Sequence, residues 1–193
     1  VWEVRGVAGR MFAGTGNGLY VSDDAGDTWT LVGMPDKGVW QIRDNGEGVL
    51  YAGTAPTGLY RSEDCGNSWH EVETLSRLAE ENGWCIPLDP PIPASARALV
   101  VSGQELWVGV EVGGIAISSD AGENWSTVLP GDNPDLHMIF AHPERKETNI
   151  QSMFEGMTLG PISQQIQQKP AIPRHDLPPR RSQDSIETFQ FKT

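Results

Sequence analysis

Three segments of the chain repeat one pattern, and this repetition limits the possible folds more than any other feature of the sequence. The segments begin at Arg10, Val49 and Glu105, and each contains the turn motif Ser-x-Asp-x-Gly-x-x-Trp. The first two motifs are 40 residues apart, and the third follows after 56, which is one repeat plus an insertion of 16. Self-similarity at this period is typical of repeat architectures. The motif residues are Ser22, Asp24, Gly26 and Trp29, then Ser62, Asp64, Gly66 and Trp69, then Ser118, Asp120, Gly122 and Trp125.

Each copy divides into short strands separated by turn residues. In the second copy, residues 39–43, 49–54, 58–63 and 68–73 alternate apolar with polar residues or carry β-branched and aromatic runs. Residues 44–46, 55–57 and 64–66 have the composition of turns. Four antiparallel strands in about 40 residues is the size of one β-propeller blade. The sequence therefore predicts an all-β fold of consecutive four-stranded blades.

The residue types of the motif suit a tight turn between the third and fourth strands. Glycine takes the positive φ that such a turn needs, and aspartate and serine oxygens accept hydrogen bonds from the turn's backbone N–H groups. The tryptophan then begins the outer strand, where its ring can cover the turn between blades. We interpret the motif as structural rather than catalytic.

This pattern resembles the Asp-box, or BNR, repeat family over about residues 1–142. The family includes sialidases and related glycoside hydrolases, sortilin-type receptor propellers and propeller factors for photosystem II assembly. In that family the box lies in a peripheral hairpin, away from the substrate face, so the resemblance implies the fold and does not identify the chemistry.

The repeats predict a propeller region at 1–147 and a separate tail at 148–193. Blades are expected at about 1–34, 39–73 and 95–130, and a fourth begins at 135–147. Residues 74–83 predict a short helix in the insertion, and the prolines after it predict an extended loop. About three and a half blades do not close a ring, so we expect open blade edges and self-association unless the chain is part of a longer propeller.

The tail has no Trp and no turn motif, and it is rich in Gln, Pro and Arg. Such a composition buries too little apolar area to offset chain entropy, so we expect a flexible, mostly disordered segment. It is either a natural tail or the product of a reading-frame shift within the fourth blade.

The charge distribution bears on possible partners. The formal net charge is −12, with 22 acidic and 9 basic residues in 1–147. An acidic body repels phosphates, so neither nucleic acid nor an anionic membrane surface is an expected partner. A protein or a carbohydrate is the expected ligand, and the sequence does not assign a cellular compartment.

Four residues are candidates for ligand binding: Asn17, Arg43, Arg97 and Glu111. Resemblance to sialidases, which hold a substrate carboxylate with three arginines, draws attention to Arg5, Arg43 and Arg97 on inner-strand segments. Glu111 and Asn17 lie in matching loops between second and third strands, which commonly face the ligand side. Solvated strand-end arginines and an exposed loop acid are the alternatives, and the Phe/Tyr-Arg-Ile-Pro segment usual in sialidases is absent.

No metal or cofactor site is expected. The glycines of Gly14-x-Gly16-x-Gly18 lie between two strands with no following helix, so the context of a phosphate-binding loop is missing. Asp23, Asp24 and Asp27 do not have EF-hand spacing. The two cysteines, Cys65 and Cys85, either pair in an exported protein or remain free thiols.

Two functions remain open at this point. A non-catalytic binding or assembly propeller fits the structural logic of the repeats and the lack of an evident acid/base pair. A fragment of a sialidase-like glycoside hydrolase is the alternative, because further blades could hold the two carboxylates that such an enzyme needs. Fold alone does not choose between them, and no catalytic residue is assigned.

Overall fold

The computed structural model describes residues 1–128, Leu136, residues 139–140 and residues 151–152. Three four-stranded antiparallel sheets follow one another along the chain, and each forms one blade with its strands in sequence order. The first blade contains β1 (Glu3–Val7), β2 (Arg10–Thr15), β3 (Gly18–Ser22) and β4 (Thr30–Gly33). The second contains β5 (Gly38–Asp44), β6 (Leu50–Ala55), β7 (Gly58–Ser62) and β8 (His70–Glu71). The third contains β11 (Ala96–Ser102), β12 (Glu105–Val110), β13 (Gly114–Ser118) and β14 (Ser126–Val128).

The insertion after the second blade, residues 73–95, contains the predicted helix and one feature that was not predicted. The helix α1 spans Glu73–Glu81, so it begins one residue earlier than expected and ends before Gly83. Its early start shortens β8, which was predicted to run to Glu73 and ends at Glu71. The proline-rich stretch was predicted as an extended loop, but β9 (Cys85–Ile86) and β10 (Ile92–Pro93) pair as a short antiparallel ladder.

Part of the fourth blade is also described. Strands β15 (Ile139–Phe140) and β16 (Gln151–Ser152) pair antiparallel, and Leu136 and Ile139 are buried against Ala98 and Ile115 of the third blade. The rest of the predicted segment 135–147, and the predicted tail apart from residues 151–152, lie outside the described residues. No helix in the described part of the chain is long and apolar enough to cross a membrane.

Apolar clusters join neighbouring blades. Strand β5 packs against β1 and β2, and β11 packs against β5 and β6, so the first strand of each blade is its innermost. The cluster between the first two blades contains Phe12, Leu19, Val21, Val39, Ile42, Leu50 and Ala52. The cluster between the second and third contains Tyr51, Leu59, Ala96, Leu99, Leu106 and Val108, and Leu75 of α1 completes it.

The motif tryptophans differ in how far they are buried. Trp69 packs against the cluster between the first two blades, and Trp125 packs against the next cluster, as the sequence predicted. Trp29 remains 37 % exposed, because no described blade packs against that side of the first blade.

One glycine of each second strand allows the next blade to approach closely. A Cβ atom on Gly14 would lie 2.5 Å from the carbonyl oxygen of Val39, and one on Gly53 would lie 2.7 Å from that of Ala96. A Cβ atom on the equivalent Gly109 would instead meet side chains, those of Leu136, Ala98 and Ile139. Gly14 and Gly53 are therefore needed because the inner strand of the following blade leaves no room for a side chain. Gly109, which matches them in the sequence, is enclosed by side chains instead.

Side chains on the inner strands also bond one blade to the next. Glu3 and Gln41 occupy equivalent positions, because they pair with Gly14 and Gly53 respectively. A carboxylate oxygen of Glu3 accepts a hydrogen bond from the backbone N–H of Ile42 at 2.5 Å. The amide oxygen of Gln41 accepts one from the N–H of Leu99 at 2.8 Å. The third blade has Ala98 at this position, so its contact with the fourth blade is apolar instead.

The three turn motifs share one hydrogen-bond arrangement. In the second, the Ser62 hydroxyl donates to Asp64 Oδ1 at 2.8 Å and accepts from the N–H of Gly66 at 2.8 Å. The same Asp64 oxygen accepts from the N–H of Ser68 at 2.8 Å. Both central turn residues, Cys65 and Gly66, have positive φ. The motif residues Ser22 and Asp24, and Ser118 and Asp120, make the corresponding bonds.

These bonds stabilise the ionised aspartates. Hydrogen bonds from Thr28, both side chain and backbone, and from Ser22 lower the pKa of Asp24 to about 2. Bonds from Asn124 and Ser118 do the same for Asp120, whose pKa is also about 2, and those from Ser68 lower the pKa of Asp64.

The glycine contact predicts a specific loss of stability. Replacement of Gly53 by Ala forces a methyl group against the Ala96 carbonyl, so we expect the free energy of unfolding to fall by about 1–3 kcal/mol. Urea unfolding would measure this change. Gly6→Ala is the matched control, since no atom lies within 4 Å of the added Cβ, and its effect should stay within about 0.5 kcal/mol. Equal effects of the two substitutions would contradict the close-approach role.

The lowered aspartate pKa predicts a pH dependence. Because the folded-state pKa of Asp120 lies below its ordinary value of 3.8, its contribution is complete above about pH 4 and is lost as the pH falls towards 2. Asp120→Asn should therefore lower the melting temperature at neutral pH, and the difference from wild type should shrink between pH 4 and 2. Thermal melts followed by circular dichroism would measure this, and a pH-independent difference would count against the bonds.

Candidate functional site

A column of stacked side chains forms where the inner strands begin. Trp2, Trp40 and Arg97 directly precede the equivalent residues Glu3, Gln41 and Ala98. The rings of Trp2 and Trp40 are stacked, with centroids 3.9 Å apart and planes 11° apart. The guanidinium carbon of Arg97 lies 4.2 Å from the centroid of the Trp40 ring. We call these three residues the stacked column.

Local backbone irregularity positions two members of this column. The ladder between β5 and β6 skips Trp40, and the ladder between β11 and β12 skips Arg97. An unpaired residue of this kind is a β-bulge, which bends the strand and redirects a side chain. The repeated bulge therefore places equivalent side chains of successive blades on top of one another.

Glu111 holds the arginine of the column. Arg97 Nη1 lies 2.6 Å from Glu111 Oε1, and both side chains are mostly buried. Glu111 lies in the loop between β12 and β13, which is fixed by a 2.9 Å hydrogen bond from its N–H to the carbonyl of Ser95. The structure thus brings together two of the four predicted ligand-binding residues.

Each of the three inner-strand arginines is paired with a different carboxylate. Arg43 Nη1 lies 2.5 Å from Glu3 Oε1 and also donates to the carbonyl of Ile42. Arg5 lies 3.6 Å from Asp44. A sialidase-like site would direct three arginines at one substrate carboxylate, whereas here each arginine has its own acidic partner.

Asn17 belongs to none of these ion pairs. It is exposed in the loop between β2 and β3, and its backbone N–H donates to Thr15 Oγ1 at 3.0 Å. Its role in ligand binding stays a prediction, as do those of Arg43, Arg97 and Glu111.

Sequence reasoning missed the two tryptophans of the column. The signal was available, because Trp2 and Trp40 lie near the start of the inner strands of consecutive repeats. It was hidden because the second blade has one more residue between its column residue and its matching glycine than the other two blades have.

The column combines exposed apolar surface with polar groups. Trp2 is 45 % exposed, while Trp40 is partly covered and its Nε1 has no hydrogen-bond partner among the described residues. Within the described residues, no group of three His, Cys, Asp or Glu side chains is placed to hold a metal ion. The arrangement can stack flat ligands and donate or accept hydrogen bonds at its edge.

Comparisons with known proteins define the fold and give a sequence relative over part of its length. No family model matches the chain. The chain is 31 % identical over 165 residues to an oligoxyloglucan-reducing end-specific xyloglucanase of Emericella nidulans, an alignment that covers 75 % of this chain and 19 % of that protein. The chain therefore spans about a fifth of the length of this relative.

Solved structures resemble the chain at low sequence identity. The extracellular domain of a one component system from B. thetaiotaomicron matches with a TM-score of 0.57 at 14 % identity, covering 79 % of this chain and 20 % of that one. YCF48 bound to a D1 peptide matches with a TM-score of 0.50 at 18 % identity, covering 79 % and 48 %. These neighbours are β-propellers. The chain is an incomplete β-propeller.

The column predicts a measurable contribution of Arg97 to stability. Arg97→Ala removes a cation from the Trp40 ring and the partner of Glu111, so we expect the free energy of unfolding to fall by about 1–2 kcal/mol. The free energy of unfolding of Arg97→Lys should lie between those of wild type and Arg97→Ala, because lysine keeps the charge and loses the planar stacking surface. Urea unfolding tests this against Arg77→Ala, an exposed helical arginine. The same loss at both positions would contradict a stabilising column.

Proposed function

We propose that this chain is a non-catalytic binding part of an Asp-box β-propeller, and that it binds a carbohydrate at the stacked column. The observation that carries the proposal is the Trp2–Trp40–Arg97 stack at the start of three consecutive inner strands. The remaining support comes from the polar groups beside the stack, the pairing of the nearby carboxylates, and the sequence relative.

The Trp2 ring suits the apolar face of a sugar. Nearly half of this residue is exposed, and stacking on Trp40 fixes its orientation before a ligand arrives. A rigid aromatic surface offers large contact area at a small entropic cost. Arg97 and Glu111 supply a donor and an acceptor near the stack, where sugar hydroxyl groups need partners.

The ion pairs favour binding over catalysis. Glycoside hydrolysis needs two carboxylates that are free to face the glycosidic bond, one as an acid and one as a base or nucleophile. Glu3, Asp44 and Glu111 are instead each paired with an arginine. Held in this way, they serve as anchors of the inner strands.

The relative supports carbohydrate as the ligand class. A xyloglucanase acts on a polysaccharide, and this chain is 31 % identical to one over 165 aligned residues. A surface that binds a polysaccharide needs an open apolar face with polar groups beside it, and the stacked column has both.

Glycan binding tests the proposal. The intact chain is titrated with oligosaccharides of xyloglucan, cellulose and starch, and the heat of binding is measured by calorimetry. We expect Trp2→Ala to weaken binding about tenfold, the cost of truncating one well-packed aromatic contact. Trp29→Ala is the matched control, because that ring is also exposed and belongs to a turn motif. The carbohydrate assignment would be overturned if the chain bound a protein but none of the glycans. It would also be overturned if Trp2→Ala and wild type bound glycan with equal affinity.

A part of a glycoside hydrolase is the second candidate, favoured by the identity to the xyloglucanase. It predicts that the protein containing this chain releases product from xyloglucan oligosaccharides or from a chromogenic glycoside panel. Glu111→Gln or Arg43→Ala would then lower the rate constant of hydrolysis. Glycan binding without any product would favour the non-catalytic role.

A further inference from the structure

Three Asn-Gly pairs occur in the chain: Asn17-Gly18, Asn45-Gly46 and Asn82-Gly83. In such a pair the backbone nitrogen of glycine is close to the side-chain carbonyl carbon of asparagine, so the two atoms can close a five-membered ring. Glycine resists this closure least, because it has no Cβ atom. The three pairs contain the same atoms and differ only in their surroundings, so the structure decides which of them is arranged to react.

The glycine nitrogen of the second pair bonds to a base. The N–H of Gly46 donates to Asp44 Oδ1 at 3.1 Å. A carboxylate in this position can accept the proton as the nitrogen attacks. The N–H groups of the other two glycines donate instead to the backbone carbonyls of Lys37, at 2.8 Å, and Glu80, at 3.0 Å. A backbone carbonyl is too weak a base to take the proton, and attack would break a bond that holds the chain in place.

The side-chain carbonyl of Asn45 is polarised. Its Oδ1 accepts hydrogen bonds from the backbone N–H groups of Glu47, at 2.9 Å, and Val49, at 3.1 Å. Two N–H groups directed at one oxygen stabilise the negative charge that develops there when a nucleophile adds to the carbonyl carbon. Asn82 differs, because its Nδ2 donates to the carbonyl of Leu78 at 2.8 Å. That bond holds the nitrogen that would have to leave.

The turn between β5 and β6 also leaves room for the reaction. Gly46 is exposed, and a Cβ atom added to it would meet no atom within 4 Å. Gly18 is buried, and a Cβ atom there would lie 2.6 Å from Leu31 Cδ1. Ring closure requires the glycine backbone to move, and opening of the ring requires water. Of these two positions, only the turn at Gly46 offers both.

We propose that Asn45 is a site of spontaneous deamidation, with water as its co-reactant. The Gly46 nitrogen gives its proton to Asp44 and bonds to the Asn45 carbonyl carbon. The bond from that carbon to the side-chain nitrogen breaks, and this nitrogen leaves as ammonia with the proton that Asp44 returns. Water then opens the cyclic imide at either of its carbonyls, which gives aspartate or isoaspartate at position 45. The reaction is independent of any ligand at the stacked column.

The product changes the turn at the end of an inner strand. A second carboxylate appears next to Asp44, whose partner Arg5 lies 3.6 Å away. Isoaspartate also adds a carbon atom to the backbone between positions 45 and 46. The N–H of Asn45 bonds to the carbonyl of Val49 at 3.0 Å, so the longer backbone lies within the closed turn. Each molecule that reacts therefore carries a permanent change with one more negative charge.

Peptide mass spectrometry measures the three rates in one sample of the folded chain at neutral pH. We expect Asn45 to deamidate about tenfold faster than Asn17 and Asn82, a modest part of the roughly hundredfold that a positioned base can contribute. In urea the three rates should converge, because each asparagine is followed by glycine and the bonds of the turn are lost. Equal rates in the folded chain, or a slower reaction of Asn45 when folded than in urea, would overturn the proposal.

Two variants separate the base from the ion pair. Asp44→Asn keeps an acceptor for the Gly46 N–H but cannot take its proton, so deamidation of Asn45 should slow about tenfold. Arg5→Ala is the matched control, because it removes the same ion pair and leaves the carboxylate in place. Its rate should equal that of wild type, with circular dichroism showing that both variants are folded. Equal rates in Asp44→Asn and wild type would contradict the proposed step.

The pH profile gives a readout that a purely structural role of Asp44 would not change, and it needs no variant to fold. Attack assisted by hydroxide becomes about tenfold faster per pH unit, whereas attack assisted by an ionised carboxylate does not depend on pH. Between about pH 6 and 8 we expect a nearly constant rate at Asn45 in wild type, and a steep rise in Asp44→Asn. A steep rise in wild type would exclude Asp44 as the base and overturn the proposal.

Discussion

Close contact between the inner strand of one blade and a glycine of the preceding blade determines the spacing of this structure. At Gly53 the carbonyl of Ala96 occupies the space where a side chain would begin, and Gly14 accepts Val39 in the same way. The contact brings inner strands near enough for Gln41 to bond the N–H of Leu99 across the gap. Apolar clusters then fill the wider space between the outer parts of the blades.

The same spacing produces the stacked column. The inner strands of the second and third blades bulge near their start, at Trp40 and Arg97. These residues and Trp2 come within stacking distance only because the inner strands are so close. Arg97 completes the column, and Glu111 fixes it from a loop of its own blade. A structural constraint between blades thus creates a rigid surface that is suited to ligand binding.

The insertion adds a different kind of surface. Its helix buries Leu75 in the cluster between the second and third blades, and its hairpin places Trp84 beside Gly113. A cleft between the insertion and the second blade is lined by the charged residues Lys37, Glu71 and Glu80 together with prolines and other small or apolar residues. This cleft therefore lies beside the repeat without disturbing the contacts between blades.

The sequence by itself determined the repeat, the all-β class, the turn motif and the short helix, because local periodicity and turn chemistry decide these features. It also marked Gly14, Gly53 and Gly109 as equivalent. Only the tertiary structure decided why those glycines are needed, which arginine pairs with which carboxylate, and that Trp2 stacks on Trp40. Several of these contacts join residues about 40 positions apart, such as Glu3 and Arg43. They depend on the bulges and on the distance between blades, which no local pattern encodes.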